Sequence, residues 1–246
     1  MKGGAEMGVI RGVGLGPGDP DLMTIRARAV IERARHVAFF RKPGRAGHAR
    51  SIVEGLLAPG AGEIAMEYPV TTEIPVSDPR YNQALSGFYE EQTARLLTLA
   101  DAGEDVAVLC EGDPFFYGSF MHLYERLKGR APVEVIPGVT GMSGAWTATG
   151  LPVTWGDDVM TVLVGTLSED DLVAGMSAAD ALVVMKIGRN IGKVRAALAR
   201  AGRLDAAWLI EFATMDRQKV MRLEEAEGRV TPYFSIVVVH GQGRRP

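Results

Sequence analysis

Gly12-Val13-Gly14-Leu15-Gly16-Pro17-Gly18-Asp19-Pro20 stands between an apolar run that starts at Val9 and a stretch of helical periodicity, Leu22 to Arg35. In that stretch Met23, Ala27, Val30, Ile31 and Ala34 fall on one stripe, and Arg26, Arg28, Glu32, Arg33 and Arg35 on the other. The order is strand, glycine loop, amphipathic helix, with Val9 to Val13 as the strand. Glycines after a strand let backbone amides approach an anion at a helix N-terminus, which invites a dinucleotide-binding reading. Pro17 interrupts the glycines and Pro20 follows them, so the spacing is not that of a dinucleotide fingerprint, and no phosphate-loop Gly-Lys-Ser/Thr is present. Alone, the loop is equally well read as a tight turn.

Working outward, His36 to Phe40 reads as a second buried strand, followed by a basic stretch, Arg41 to Arg50, and a helix from Ser51 to Leu57. Tyr81, Ala84, Leu85, Phe88, Gln92, Leu96 and Leu99 follow helical spacing, closed by Gly103 at a C-terminal position. Further strand-like runs are Val106 to Cys110, Val133 to Ile136, Thr161 to Val164, Ala181 to Met185, Ala207 to Phe212 and Phe234 to Val239. Helical segments separate most of them, which predicts an α/β protein with largely parallel strands in its first part. Gln218 to Leu223 reads as an extra antiparallel strand. The helix-breaking Lys128-Gly129-Arg130-Ala131-Pro132 places a seam between two α/β domains, 1–130 and 131–246.

Three more strand ends run into small, turn-forming residues: Glu111-Gly112-Asp113-Pro114-Phe115-Phe116-Tyr117-Gly118, Pro137-Gly138-Val139-Thr140-Gly141-Met142 and Met185-Lys186-Ile187-Gly188-Arg189-Asn190. Ligands of α/β proteins collect at the carboxyl ends of strands, so several such loops point to one cleft. Asp113 suits a ligand hydroxyl or amine, and Phe116 and Tyr117 can cover apolar surface. An Asp-Pro turn with core aromatics would read the same way. Arg41, Lys42 and Arg45 are either substrate-carboxylate contacts or a solvated loop.

The 246 residues are 47% hydrophobic and 23% charged, with a formal net charge of −3, the composition of a globular protein without general attraction for nucleic acid. The single cysteine, Cys110, excludes an intramolecular disulfide and a cysteine-rich metal site. His36, His48, His122 and His240 lack metal-ligand spacing, so no metal is expected. The N-terminal Met-Lys-Gly-Gly-Ala-Glu-Met-Gly is not a secretory signal and no apolar run has membrane-spanning length, so a cytoplasmic protein with no membrane association is expected.

In order, Gly14-Leu15-Gly16-Pro17-Gly18-Asp19-Pro20, Glu111-Gly112-Asp113-Pro114, Pro137-Gly138-Val139-Thr140 and Gly150-Leu151-Pro152 resemble the tetrapyrrole methylases of cobalamin and sirohaem formation, over nearly the whole chain. Within that family Glu111 to Ser119, Met185 to Asn190 and Thr231-Pro232-Tyr233-Phe234-Ser235 look like the branch that methylates the C20 meso carbon of precorrin-2. The branch that takes the cobalt-loaded substrate is an alternative. The resemblance implies two α/β domains with an inter-domain active-site cleft, a homodimer and S-adenosylmethionine as cofactor, leaving as S-adenosylhomocysteine. By motif position it implies that Pro17, Gly112, Asp113, Phe116, Thr140, Gly141, Ile187 and Ala213 surround the cofactor, with Glu111 and Ser235 as further members. Uroporphyrinogen methylases of the family carry an aspartate just after the second strand, where this chain reads Phe39-Phe40-Arg41-Lys42-Pro43, so that acid-base role does not transfer.

The implied chemistry is attack of an electron-rich carbon on the cofactor methyl, which requires alignment rather than an enzyme nucleophile. Glu111, Asp113, Tyr117 and His122 are candidates to accept the departing proton, and the catalytic residue is unassigned. Two rivals remain: a methylase of RNA ribose or of a protein side chain, whose RNA version the acidic balance disfavours, and, from a different class, a non-catalytic tetrapyrrole-binding or carrier protein, which the several cofactor-like loops disfavour.

Overall fold

The computed structural model describes residues 6–70 and 78–245; residues 1–5, on which the N-terminal reading partly rests, lie outside them. The chain forms two compact units, Met1–Thr140 and Gly141–Pro246.

In the first unit, β1 (Ile10–Gly14), β2 (His36–Arg41), β3 (Gly62–Glu67), β4 (Val106–Cys110) and β5 (Val133–Ile136) form one sheet in the order β3-β2-β4-β1-β5. Every pairing in it is parallel. The helices are α1 (Ile25–Arg33), α2 (His48–Ile52), α3 (Pro79–Asp101) and α4 (Phe120–Leu127). A parallel sheet needs cover on both faces, and alternate residues of β4 supply it. Val106, Val108 and Cys110 pack with Phe88, Leu96, Phe120 and Leu123, whereas Ala107 and Leu109 pack with Ala27, Ile31 and Ile52. Truncating a fully buried residue of either cluster, such as Leu123 or Ile31, to alanine costs about 2–5 kcal/mol.

Several elements have visible local causes. The expected Leu22–Arg35 helix splits into a 3-10 turn, Pro20–Leu22, and α1, because Thr24 caps α1 by accepting from the Ala27 amide at 3.1 Å. Asp78 and Pro79 start α3, and Gly103 ends it with φ +79°. The expected Ser51–Leu57 helix is displaced: α2 begins at His48, inside the expected basic stretch, and stops at Ile52 before Gly55 at φ +77°, sharing only Ser51 and Ile52 with the expectation. The edge strand β3 went unread in the sequence. Val133–Ile136, expected just beyond the domain seam, pairs with β1, and the chain divides between Thr140 and Gly141.

In the second unit, β6 (Met160–Val164), β7 (Ala181–Met185), β8 (Ala207–Glu211), β9 (Lys219–Arg222) and β10 (Ser235–Val239) form a sheet in the order β6-β7-β10-β8-β9. Only β6 and β7 are parallel; β10 and β9 enter antiparallel, as Gln218 to Leu223 foretold for β9. α6 (Glu169–Ser177) and α7 (Ile191–Arg200) contribute Leu172, Met176, Val194 and Leu198 to the core on one face. α5 (Gly141–Ala148) contributes Ala145, which packs with Val183, Ile210 and Val238 on the other. No helix among the described residues is long and apolar enough to cross a membrane.

Candidate active site

Because β4, β1 and β5 are neighbours and parallel, their three following loops emerge together at the carboxyl end of the first sheet. The loops are fastened to each other by backbone. Gly112 donates its amide to the Gly16 carbonyl at 2.8 Å, and Gly16 returns the contact at 3.4 Å, with both glycines at positive φ, +66° and +83°. A Cβ on Gly138 would stand 2.1 Å from the Gly112 carbonyl oxygen, and one on Gly14 would stand 2.5 Å from the Gly138 nitrogen. Glycine is therefore required at the junction for close approach. Pro17 is buried at its margin.

Asp113 ties the same junction by its side chain. Oδ1 accepts from the Phe115 amide at 2.8 Å, an Asp-Pro turn, and Oδ2 accepts from the Gly138 amide at 3.0 Å, reaching the loop after β5. Glu111, one residue past β4, turns the other way: Oε1 accepts from the Ala49 amide of α2 at 3.0 Å. Burial pushes its carboxyl above the ordinary carboxylate range, partly offset by that bond and one to its own amide. Phe116 and Tyr117 meet edge to face at 4.9 Å, Tyr117 with φ +54°. Thr140 ends the loop after β5, and Gly141 opens α5. The segments 12–20, 111–119 and 137–141 contain Asp19, Glu111 and Asp113 and no lysine or arginine.

In the second unit the register of β7, β10 and β8 brings Ile187, Ser235 and Ala213 to one end of the sheet, with Ser235 opposite Glu211. Ile187 is buried in the core cluster, so it can offer a ligand its backbone rather than its side chain. Lys186 before it has φ +52°, and Phe212 and Thr214 on either side of Ala213 have +53° and +67°. With Tyr117, these are the four non-glycine residues at positive φ among the described residues, and each adjoins a candidate cofactor residue. Such conformations persist only where the surroundings impose them, and they concentrate at functional sites. Ser235 is 2% exposed and its hydroxyl donates to the Pro232 carbonyl at 2.8 Å.

Of the proton-acceptor candidates, Glu111 and Asp113 are committed to backbone amides, and His122 packs on Tyr89 at 4.7 Å between ring centres. His240 is structural: Nδ1 lies 2.9 Å from the Pro152 carbonyl and Nε2 3.0 Å from Thr149, and burial lowers its proton affinity. Among the described residues no three His, Cys, Asp or Glu side chains cluster as a metal site would need.

The family model for tetrapyrrole (corrin/porphyrin) methylases matches residues 9–227. The chain belongs to the tetrapyrrole methylases. Among curated members of this family, the precorrin-2 C(20)-methyltransferase of a Sinorhizobium species is 47% identical over 243 residues, covering 99% of both chains. The cobalt-precorrin-2 C(20)-methyltransferase of Salmonella typhimurium is 26% identical, covering 96% of this chain and 97% of its own. Among solved tetrapyrrole methylases, the uroporphyrin-III C-methyl transferase of Thermus thermophilus complexed with S-adenosyl homocysteine superposes with a TM-score of 0.64. It is 25% identical, with 95% of this chain and 92% of that one covered. What the motifs did not signal in this family member is the pair Glu211 and Arg229: nothing local in the sequence marks two charges 18 residues apart as partners.

Proposed function

We propose that this chain transfers the methyl group of S-adenosylmethionine to the C20 meso carbon of precorrin-2, giving precorrin-3A and S-adenosylhomocysteine on the route to cobalamin. The observation that carries the reading is the glycine-packed junction formed by three adjacent strand-end loops that hold carboxylates and no cation. A phosphate-bearing ligand is favoured by basic side chains or by a phosphate or dinucleotide loop, and these segments contain none of them. A cofactor whose reactive centre is a sulfonium, with hydroxyls and an amino group besides, fits acidic and backbone-lined surroundings. When bound, it supplies a methyl group on a positively charged sulfur, already activated toward an electron-rich carbon.

The proposed contacts are Pro17, Glu111, Gly112, Asp113, Phe116 and Thr140 of the first unit and Gly141, Ile187, Ala213 and Ser235 of the second. Gly112 and Ile187 act through backbone, Phe116 covers apolar surface, and Asp113 keeps lone pairs beyond its two backbone bonds for a ligand donor. The chain's part in the chemistry is to hold the two reactants in line and keep water away, since no nucleophile is required. The metal-free substrate is favoured over the cobalt-loaded one by the higher identity to the Sinorhizobium relative, 47% against 26%. A homodimeric, cytoplasmic enzyme belongs to the same proposal.

The test incubates purified protein with isotopically labelled S-adenosylmethionine and precorrin-2, with and without cobalt, and reads product mass and methyl position. One methyl at C20 of the metal-free substrate is expected. Transfer to neither tetrapyrrole overturns the function, and transfer only to the cobalt form overturns the substrate. Light scattering gives the oligomeric state, a monomer excluding the dimer.

A further inference from the structure

We propose that the half-buried ion pair between Glu211 and Arg229 is a positioning device that sets the backbone of residues 212–214 and of the strap 229–235 for cofactor binding; this rests on the reading that Ile187, Ala213 and Ser235 contact the cofactor. Glu211 is the last residue of β8 and 2% exposed. Both of its oxygens accept from Nη2 of Arg229, each at 3.1 Å. The Arg229 Nε is buried and has no hydrogen-bond partner among the described residues, so the arginine's placement is set by that one carboxylate.

From this pair a chain of bonds reaches all three cofactor positions. Phe212, next to Glu211 and at φ +53°, donates its amide to the Phe234 carbonyl at 2.8 Å. Thr231, two residues past Arg229, donates its hydroxyl to the Gly188 carbonyl at 2.7 Å, beside Ile187. Ser235 lies opposite Glu211 in the β8 and β10 register and closes the strap onto Pro232. The distal side of the 212–214 loop is braced separately, by the Arg217 guanidinium 3.8 Å over the Phe212 ring and by the Gln218 side chain accepting from the Thr214 amide at 2.7 Å. Burying the Glu211 carboxylate costs hydration that the half-exposed Arg229 offsets only in part, so the pair adds little stability, but it is directional. Its placement beside imposed backbone geometry is what a positioning role requires.

The experiment measures S-adenosylhomocysteine binding by calorimetry and the S-adenosylmethionine KM and kcat on the full-length protein, with thermal melting alongside. The variants are Arg229→Lys and the double change Glu211→Met with Arg229→Met, and Arg200→Met serves as control, since it breaks an exposed pair with Glu169 far along the chain from the strap. Replacing both charges by apolar groups removes the direction of the pair without leaving the Glu211 carboxylate buried and unpaired. The double variant is expected to melt close to wild type yet bind about tenfold more weakly, with KM raised and kcat at saturation little changed. Arg229→Lys, which folds with one charge-assisted bond retained, should lose about threefold. Unaltered affinity in both variants, or affinity that simply follows melting temperature, overturns the positioning role while leaving the cofactor reading intact. Wild-type protein that does not bind S-adenosylhomocysteine overturns both.

Discussion

Gly138→Ala adds one methyl group at the most crowded point of the first unit. The new Cβ would stand 2.1 Å from the Gly112 carbonyl oxygen and 2.9 Å from two carbons of Gly14, where ordinary contact is 3.4–4 Å. All three neighbours are backbone, so no side chain can rotate away, and the loops after β1, β4 and β5 must separate by about 1 Å. Overpacking of this kind costs about 1–3 kcal/mol. Parting the loops also strains the bond from the Gly138 amide to Asp113, a charge-assisted contact contributing about 1.5–3 kcal/mol. Alanine's lower unfolded-state entropy returns about 0.4–1 kcal/mol. The net loss is about 3 kcal/mol, which for a chain of this size lowers the melting temperature by roughly 6–12 °C. Scanning calorimetry measures it, and S-adenosylhomocysteine titration should show weakened binding in the surviving fold. Gly87→Ala is the reference: in α3, with nothing within 4 Å of its Cβ, it should gain about 0.5–1 kcal/mol. A Gly138→Ala protein that melts within about 2 °C of wild type and binds unchanged would refute the fused-loop geometry.

Asp113→Asn keeps one oxygen for the Phe115 or the Gly138 amide and turns an NH2 toward the other, so it should weaken cofactor binding and lower stability by about 1–3 kcal/mol, read by the same titration and by urea unfolding. Glu111→Gln should be at least as stable as wild type at pH 7, because the amide oxygen still accepts from Ala49. The raised carboxyl holds a proton in the folded chain that the unfolded chain releases, so wild-type stability falls as pH rises above about 4.5, and the variant should lose that slope. His240 has the opposite sign: its lowered proton affinity makes stability fall as pH drops below about 6.5, and unfolding free energies at pH 5 and 7 should converge in His240→Gln. Thr214→Gly relieves a β-branched residue at φ +67° and keeps the amide bond to Gln218. A gain of about 0.5–1 kcal/mol is expected, and a loss of similar size would show that the backbone there is unstrained.

Among the strands read from sequence, the two clearest are those whose burial leaves a continuous apolar run. Val106 to Cys110 and Ala181 to Met185 lie inside their sheets and match the sequence boundaries to the residue. β3 was unreadable for the converse reason: Glu63 and Glu67 flank only Ile64, Ala65 and Met66, the mixed composition of an edge strand. The place of β5 was unreadable because pairing with β1, about 120 residues earlier, is a non-local event that the nearby breaker at Gly129 and Pro132 does not report.

At the site the division is sharper. The glycines and Asp113 could be picked out because loops that pack backbone on backbone leave a residue-type signature, whereas the partners of Asp113 could not, since an acceptor side chain does not disclose which amides it meets. Nothing in Lys186, Phe212 or Thr214 foretells a positive φ, because none of these residue types favours it; the sheet end and the strap impose it from outside. Glu211 misleads in the same way. Closing the run Ala207-Trp208-Leu209-Ile210, a glutamate looks like the solvated end of a strand, yet it is buried between β9 and β10, and Arg229 returns to meet it. The readable part of the site is therefore the part that needs small residues to bring chains together. The unreadable part is the part held in place by charges and hydrogen bonds from remote segments.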